Sequence, residues 1–302
     1  MTTGSRLSAS VLLTVLLLLP SVGLGNWQSV RTPHFHIQYH EQQEKVARRL
    51  AADAERIRLR HCRLIRPCYD GLTTVQVASS EEEFLDVQPH GAHIDWAAGV
   101  AYAPLSLIIL RVDKDMLLTL DETFEHEVSH ILLLKATTKR PPRWFIEGLA
   151  IVQARQNLIE KFEAVATATA REDPLPLSAI RRSFPSTAGG RSLAYAKSGL
   201  FVSYVINRFG EDAVRELVTA LSYGMTIEDA FVKVFGFSVE ELEEEWSGGL
   251  SSYAWLKVLT TDWVLWGGMT LLFLLAVAVK WRRTRRRKRE MEEEERDWDF
   301  IH

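Results

Sequence analysis

Residues 126–130 read His-Glu-Val-Ser-His, and this pentapeptide constrains the chain more than any other stretch. Its chemistry is available only on a helix. Positions four apart lie one turn apart on the same face, so His126 and His130 can aim imidazole nitrogens at a single ion. Glu127, beside the first of them, can reach a water on that ion and take its proton as the water attacks. Zinc lowers the pKa of such a water to about 7, which makes a nucleophile available at neutral pH. A catalytic zinc also needs a third protein ligand and one open position. Glu147 answers that need, in Trp144-Phe145-Ile146-Glu147-Gly148-Leu149-Ala150, on a second helix that Pro141 and Pro142 let turn back to face the first. The bland reading makes the histidines ordinary surface or core residues and Glu147 an ordinary acid. Against it, an acid surrounded by Trp, Phe, Ile, Leu and Ala is costly to bury unless it is paired or metal-bound. Gly148 and Ala150 are small, as close helix approach requires.

Around this motif the periodicity changes along the chain. Phe35, Ile37 and Tyr39 alternate with His34, His36, Gln38 and His40, the pattern of a half-buried strand whose histidines form a polar solvent face. Residues 41–64 suit a helix with Val46, Leu50, Ala54 and Ile57 on one side. Residues 72–78 and 107–112 have β character. After Asp113 the chain turns helical: Asp121 caps a helix to about Leu134, the next covers 144–156, and later ones cover 193–209, 211–221, 227–234 and 239–246. His90 and His93 stand in a loop-like stretch with Pro89 and Gly91. Cys62 and Cys68, with Pro67 between them, are either a disulfide closing a small loop or two thiols.

The pairing of His126-Glu127-Val128-Ser129-His130 with Trp144-Phe145-Ile146-Glu147-Gly148 resembles the gluzincin metallopeptidases of the peptidase MA-like group. Tyr195-Ala196-Lys197-Ser198-Gly199 is similar to the tyrosine segment that follows the third ligand in aminopeptidase-type members, and the resemblance runs from about Asn26 to Trp246. It implies a zincin-like α+β domain: a small N-terminal mixed sheet with helices, then a helical region. It also implies zinc on His126, His130 and Glu147, with Glu127 as general base and then proton carrier to the leaving amine. Tyr195 would steady the oxyanion, or is simply a packed helix tyrosine. Lys197 reads as a solvated helix lysine. Residues 99–103 are either the edge strand along the cleft, with which a substrate peptide pairs in gluzincins, or an interior strand. The glycine-rich exopeptidase signature of the aminopeptidase-type enzymes is missing, which favours endopeptidase action.

The two ends of the chain place this domain. Arg6, the apolar run 11–19, Pro20 and the pair Gly23 and Gly25 read as a signal peptide over 1–25, the alternative being an uncleaved signal anchor. No charge interrupts Trp263 to Val279, about 17 positions, the short limit for a spanning helix. Trp263, Trp266 and Trp281 suit membrane interfaces, and the basic run 282–289 stays on the cytoplasmic side. The expected order is a leader (1–25), the domain (26–247), a stalk (248–262), one transmembrane helix (263–281) and a charged cytoplasmic tail (282–302). The alternative for 263–281 is a buried core helix. This topology fits a single-pass protein of a bacterial inner membrane with its domain facing the periplasm. Partners are then the bilayer and peptide or protein substrates, envelope or membrane-associated ones. A net charge of −3 argues for no partner on its own, and no basic face with interleaved aromatics suggests nucleic acid. The rival functions are a silent peptidase-fold scaffold of the envelope and a zinc hydrolase of a non-peptide envelope substrate.

Overall fold

In a computed structural model, residues 27–89, 94–112, 119–157, 162, 165, 168, 175–260 and 262–301 are described. The expected leader and the loop histidines His90 and His93 lie outside the described residues. Strand β2 (Phe35–Tyr39) buries Phe35, Ile37 and Tyr39 on one face, as a period of two requires. It is joined to β1 (Gln28–Arg31), β3 (Thr73–Ala78), β4 (Gly99–Tyr102) and β5 (Leu107–Arg111) in one sheet of order β1-β2-β3-β5-β4. The β1 and β2 strands are antiparallel, with Gln28 opposite Tyr39, while β2, β3 and β5 run parallel. Parallel neighbours need a crossover. Helix α1 (Glu44–His61) supplies the first, burying Ala47, Leu50, Ala54 and Ile57 at helical spacing. Strand β4 returns antiparallel beside β5, with Gly99 opposite Leu110, and ends the sheet. Residues 99–102 are therefore an edge strand, not an interior one.

The histidines around β2 are not simply solvated. His34 contacts Glu55 through Nδ1 (2.8 Å) and Asp70 through Nε2 (2.9 Å), and His40 pairs with Glu83. Glu83 also opens the short helix α2 (Glu81–Asp86), donating its N–H to the Ser80 hydroxyl at 3.2 Å. Cys62 and Cys68 are joined in a disulfide, which decides between the two readings of that pair.

Helix α3 (Leu120–Ala136) buries Leu120, Phe124, Val128, Ile131, Leu132, Leu133 and Ala136, so apolar contact surrounds most of its circumference. Asp121 is not its cap. The helix starts one residue earlier, and Asp121 sits in the first turn, where its charge suits the helix N-terminus and meets Arg49 at 3.2 Å. Helix α4 covers Arg143–Gln153. Helix α5 (Ala188–Ser222) is interrupted at Gly210, whose φ of 85° only glycine adopts without cost, so it divides where two helices were expected. Helices α6 (Ile227–Phe235) and α7 (Val239–Thr260) follow. A reciprocal capping box starts α7: Glu241 N–H donates to Ser238 Oγ (3.1 Å) and Ser238 N–H to Glu241 Oε2 (2.8 Å). The expected stalk from Gly248 is helical as far as Thr260.

Helix α8 runs from Asp262 to Ile301 and fuses the apolar stretch to the charged tail. Among the described residues, no helix is long and apolar enough to cross a membrane, in contrast to the spanning helix expected over 263–281. The uncharged stretch of about 17 residues rises about 25 Å, against about 30 Å of hydrocarbon.

The chain divides into two compact units. The first comprises Met1–Pro141, Leu149–Gln156 and Phe209–Ala230, and thus the sheet, α1 and α3. The second comprises Pro142–Gly148, Asn157–Arg208 and Phe231–His302. In the second, Trp144 stands edge-on to Phe201 (5.5 Å) and Phe231 (6.0 Å), and Phe201 edge-on to Trp246 (5.6 Å). Lys197 is buried there, not solvated: its ammonium pairs with Glu243 and lies 5.9 Å from the Trp246 ring centre. Glu243 also accepts the Leu177 N–H at 3.0 Å, so the buried charges are mutually answered.

Candidate metal centre

The first unit brings His126, Glu127 and His130 together, as the spacing on α3 dictates. One ligand atom from each lies within 4.8 Å of the others. The imidazole rings stand edge to face with centroids 4.6 Å apart. Two nitrogens on one tetrahedral zinc lie about 3.4 Å apart at bond lengths of about 2.1 Å, so small side-chain rotations close this spread. Imidazole and carboxylate donors also suit zinc chemically. The residues present therefore fit such an ion.

Glu127 is buried, and the edge strand closes over it. A Cβ at Gly99 would stand 3.1 Å from Glu127 Cγ and 2.7 Å from Thr123 Cγ2, so only glycine lets β4 come this close to α3. At the other end of β4, burial and then the charge of Glu127 push the Tyr102 phenol above its ordinary pKa. The Tyr102 hydroxyl donates to Gln88 Oε1 at 3.0 Å.

Polar groups also meet α3 away from its ligand atoms. Ser129, fully buried, donates to Gln153 Oε1 at 2.7 Å. Gln153 Nε2 donates to the carbonyl of His61 at 3.2 Å, and His61 Nε2 faces the carbonyl of Glu125 at 3.0 Å. A carbonyl only accepts, so these contacts fix the Gln153 amide orientation and place the His61 proton on Nε2. Among the described residues, His61 Nδ1 is buried with no hydrogen-bond partner. A second proton there would find no acceptor, and burial, with the charges of Arg60 and His126 behind it, lowers the His61 pKa to about 4. One turn beyond Gln153, Gln156 Nε2 lies 3.4 Å from His126 Nδ1.

The second unit holds Glu147 and Tyr195. Glu147 is buried in the first half of α4 and lies 3.4 Å from Arg143 one turn earlier. The Arg143 guanidinium sits 4.8 Å from the Phe184 ring centre, and Phe184 packs edge-on against Tyr195 at 4.9 Å. Glu147 and Tyr195 are thus joined through Arg143 and Phe184. Gly148 serves a close approach, but to α5: a Cβ there would meet the Ser198 carbonyl oxygen at 2.4 Å. Sequence reading passed over Arg143, Gln153, Gln156, Phe184 and His61. Only Arg143 carries a local signal, the four-residue spacing to Glu147. The others find partners far away in sequence.

The sequence model of the peptidase MA superfamily matches residues 90–252, which takes in every one of the expected site residues. No curated protein sequence matches. Among solved structures the chain is similar to native leukotriene A4 hydrolase from Saccharomyces cerevisiae, at 10% identity and a TM-score of 0.45, covering 74% of this chain and 39% of that one. A second structure of the native yeast enzyme gives 11% identity, a TM-score of 0.47 and coverage of 80% and 38%. The chain thus spans about two fifths of the length of these proteins.

Proposed function

The chain belongs to the peptidase MA superfamily, and from that premise we propose that it is a membrane-anchored, gluzincin-type zinc peptidase that hydrolyses peptide bonds outside the cytoplasm. The observation that carries this reading is the gathering of His126, Glu127 and His130 on α3. His126 and His130 hold the ion, and Glu147 is the third ligand. Supporting Glu147 is its burial on α4, the helix whose Gln153 is bonded to Ser129 between the two histidines. When bound, the ion supplies Lewis acidity toward water and the scissile carbonyl. Glu127 takes the proton of the attacking water on its carboxylate and passes it to the leaving amine. The Tyr195 hydroxyl donates to the developing oxyanion. The free side of β4 offers its main-chain groups to an extended peptide, which gives affinity with little sequence choice.

Attachment to a bilayer rests on the exposed apolar side chains from Trp266 to Val279 and the basic run after them. A crossing also needs Lys280 and Arg282 to snorkel, adding the few ångströms that the uncharged stretch lacks. The positive-inside rule then puts the domain on the periplasmic side of a bacterial inner membrane, with envelope or membrane-associated proteins as substrates. Resistance of the expressed chain to extraction at alkaline pH tests the anchor; release with the soluble fraction removes it and leaves the peptidase reading intact.

For the chemistry, zinc content and peptide cleavage are measured on the full chain beside Glu127→Gln and Glu147→Ala. The expected result is one zinc and cleavage in the wild type, zinc without cleavage in Glu127→Gln, and loss of zinc in Glu147→Ala. A wild type without zinc sinks the reading. A zinc-loaded wild type that cleaves no peptide shifts it to a scaffold or a hydrolase of a non-peptide substrate.

A further inference from the structure

Ser129 occupies a fully buried position of α3, where an apolar residue would satisfy packing equally well. Its hydroxyl begins a closed circuit: Ser129 to Gln153 on α4, Gln153 to the last carbonyl of α1 at His61, and the His61 ring back to the carbonyl of Glu125 on α3. Glu125 and Ser129 stand on successive turns, and the two residues that follow Glu125 are His126 and Glu127. The two anchor points thus bracket His126 and Glu127, and Ser129 directly precedes His130. The ring's own residues, Ser129, Gln153, His61 and Glu125, all belong to the first unit.

Apolar contacts around α3 resist its removal from the core but are non-directional, so they oppose rotation about its own axis weakly. Hydrogen bonds at two turns oppose it strongly, because they weaken steeply with angle. The magnitudes matter. An imidazole tip about 6 Å from the helix axis moves about 0.5 Å for 5° of rotation, which is the whole tolerance of a working site. Gln156 adds a direct hold: its carboxamide lies at His126 Nδ1, and with the amide turned so that Oε1 accepts the Nδ1–H, the proton is kept off Nε2, the nitrogen that would meet an ion.

We propose that Ser129, Gln153, His61 and Gln156 are positioning residues that set the axial rotation of α3 and the ring orientation of His126, and thereby the metal affinity of the site. The proposal rests on the reading of His126 and His130 as metal ligands. It concerns aim, not stability, and that separates it from a ring that merely satisfies buried polar groups.

The test measures the zinc dissociation constant of the full chain by chelator competition, with melting temperature, kcat and KM alongside. Ser129→Ala and Gln153→Leu are each expected to weaken zinc binding about tenfold, within the range for residues that orient metal ligands. They lower kcat and leave KM unchanged. The double variant is no weaker than either single one, because one break opens the circuit. Gln156→Leu, at a half-buried position, weakens zinc binding to a similar degree. Wild-type zinc affinity in folded Ser129→Ala, with only the melting temperature lowered, overturns the proposal. If Ser129→Ala does not fold, wild-type affinity in Gln156→Leu overturns it. A wild type that binds no zinc removes the functional reading itself, a separate outcome.

Discussion

Two acids on two helices are held by opposite means. Glu127 sits in the first unit on a helix surrounded by apolar side chains, and the polar groups nearby are arranged by directional hydrogen bonds from Ser129, Gln153 and His61. Glu147 sits in the second unit beside Trp144, Phe145 and Ile146, where aromatic edges, a glycine pressed on the Ser198 carbonyl and ion pairs do the holding. Hydrogen-bonded positioning fails when one atom is removed. Positioning by close packing fails when one atom is added. The two units therefore depend on two kinds of precision, and each kind predicts its own pattern of sensitive substitutions.

The largest effect tests the chemistry that the first unit positions. Glu127→Gln keeps the shape of the side chain and its burial but cannot take a proton, so kcat is expected to fall about 10³-fold or more with zinc retained. Activity within tenfold of wild type would assign the proton transfer to another group. Next comes the buried pair of the second unit. Lys197→Ala strands Glu243 and is expected to cost about 3–5 kcal/mol in urea denaturation. The double replacement Lys197→Met with Glu243→Leu removes both charges and stays near wild type. A cost below about 1 kcal/mol for Lys197→Ala would mean that apolar packing alone holds this unit.

A smaller effect sharpens the contrast through pH. The folded pKa of His61, about 4, lies below its ordinary 6.5. Between those values the unfolded chain binds a proton that the native chain does not, so stability is complete above pH 6.5 and is lost as pH falls toward 4. The expected loss is about 3 kcal/mol, read as the excess pH dependence of metal-free wild type over His61→Gln. Equal slopes would place His61 in a wetter setting than its burial indicates. The smallest effect belongs to the second unit: Gly148→Ala puts a methyl group against backbone that cannot swing away, costing about 1–3 kcal/mol in thermal denaturation. A neutral Gly148→Ala would show that the helix crossing has slack.

Much of this was legible in the sequence, for reasons that are local. The alternation at Phe35, Ile37 and Tyr39 gives a strand because a pleated chain has a period of two, and His126 with His130 gives a shared helix face because four residues make about one turn. Gly210 breaks a helix because it tolerates a positive φ. The edge position of residues 99–102 was open, since strand order depends on which crossovers the chain makes. Lys197 was misread because its partner, Glu243, comes 46 residues later (243 − 197). The helix cap was read two residues late, at Asp121 instead of Thr119, because several side chains near a helix start can serve its dipole.

By itself, the sequence determined the helix face that carries His126, Glu127 and His130, the apolar setting of Glu147 and the main strand and helix periods, since each is a property of neighbours one or two turns apart. Only the tertiary structure decided that Ser129, Gln153 and His61 close a ring, that Arg143 and Phe184 join Glu147 to Tyr195, and that Gly148 meets Ser198. Hydrogen bonds and contacts between distant segments depend on where whole elements pack, and no short stretch of sequence carries that information.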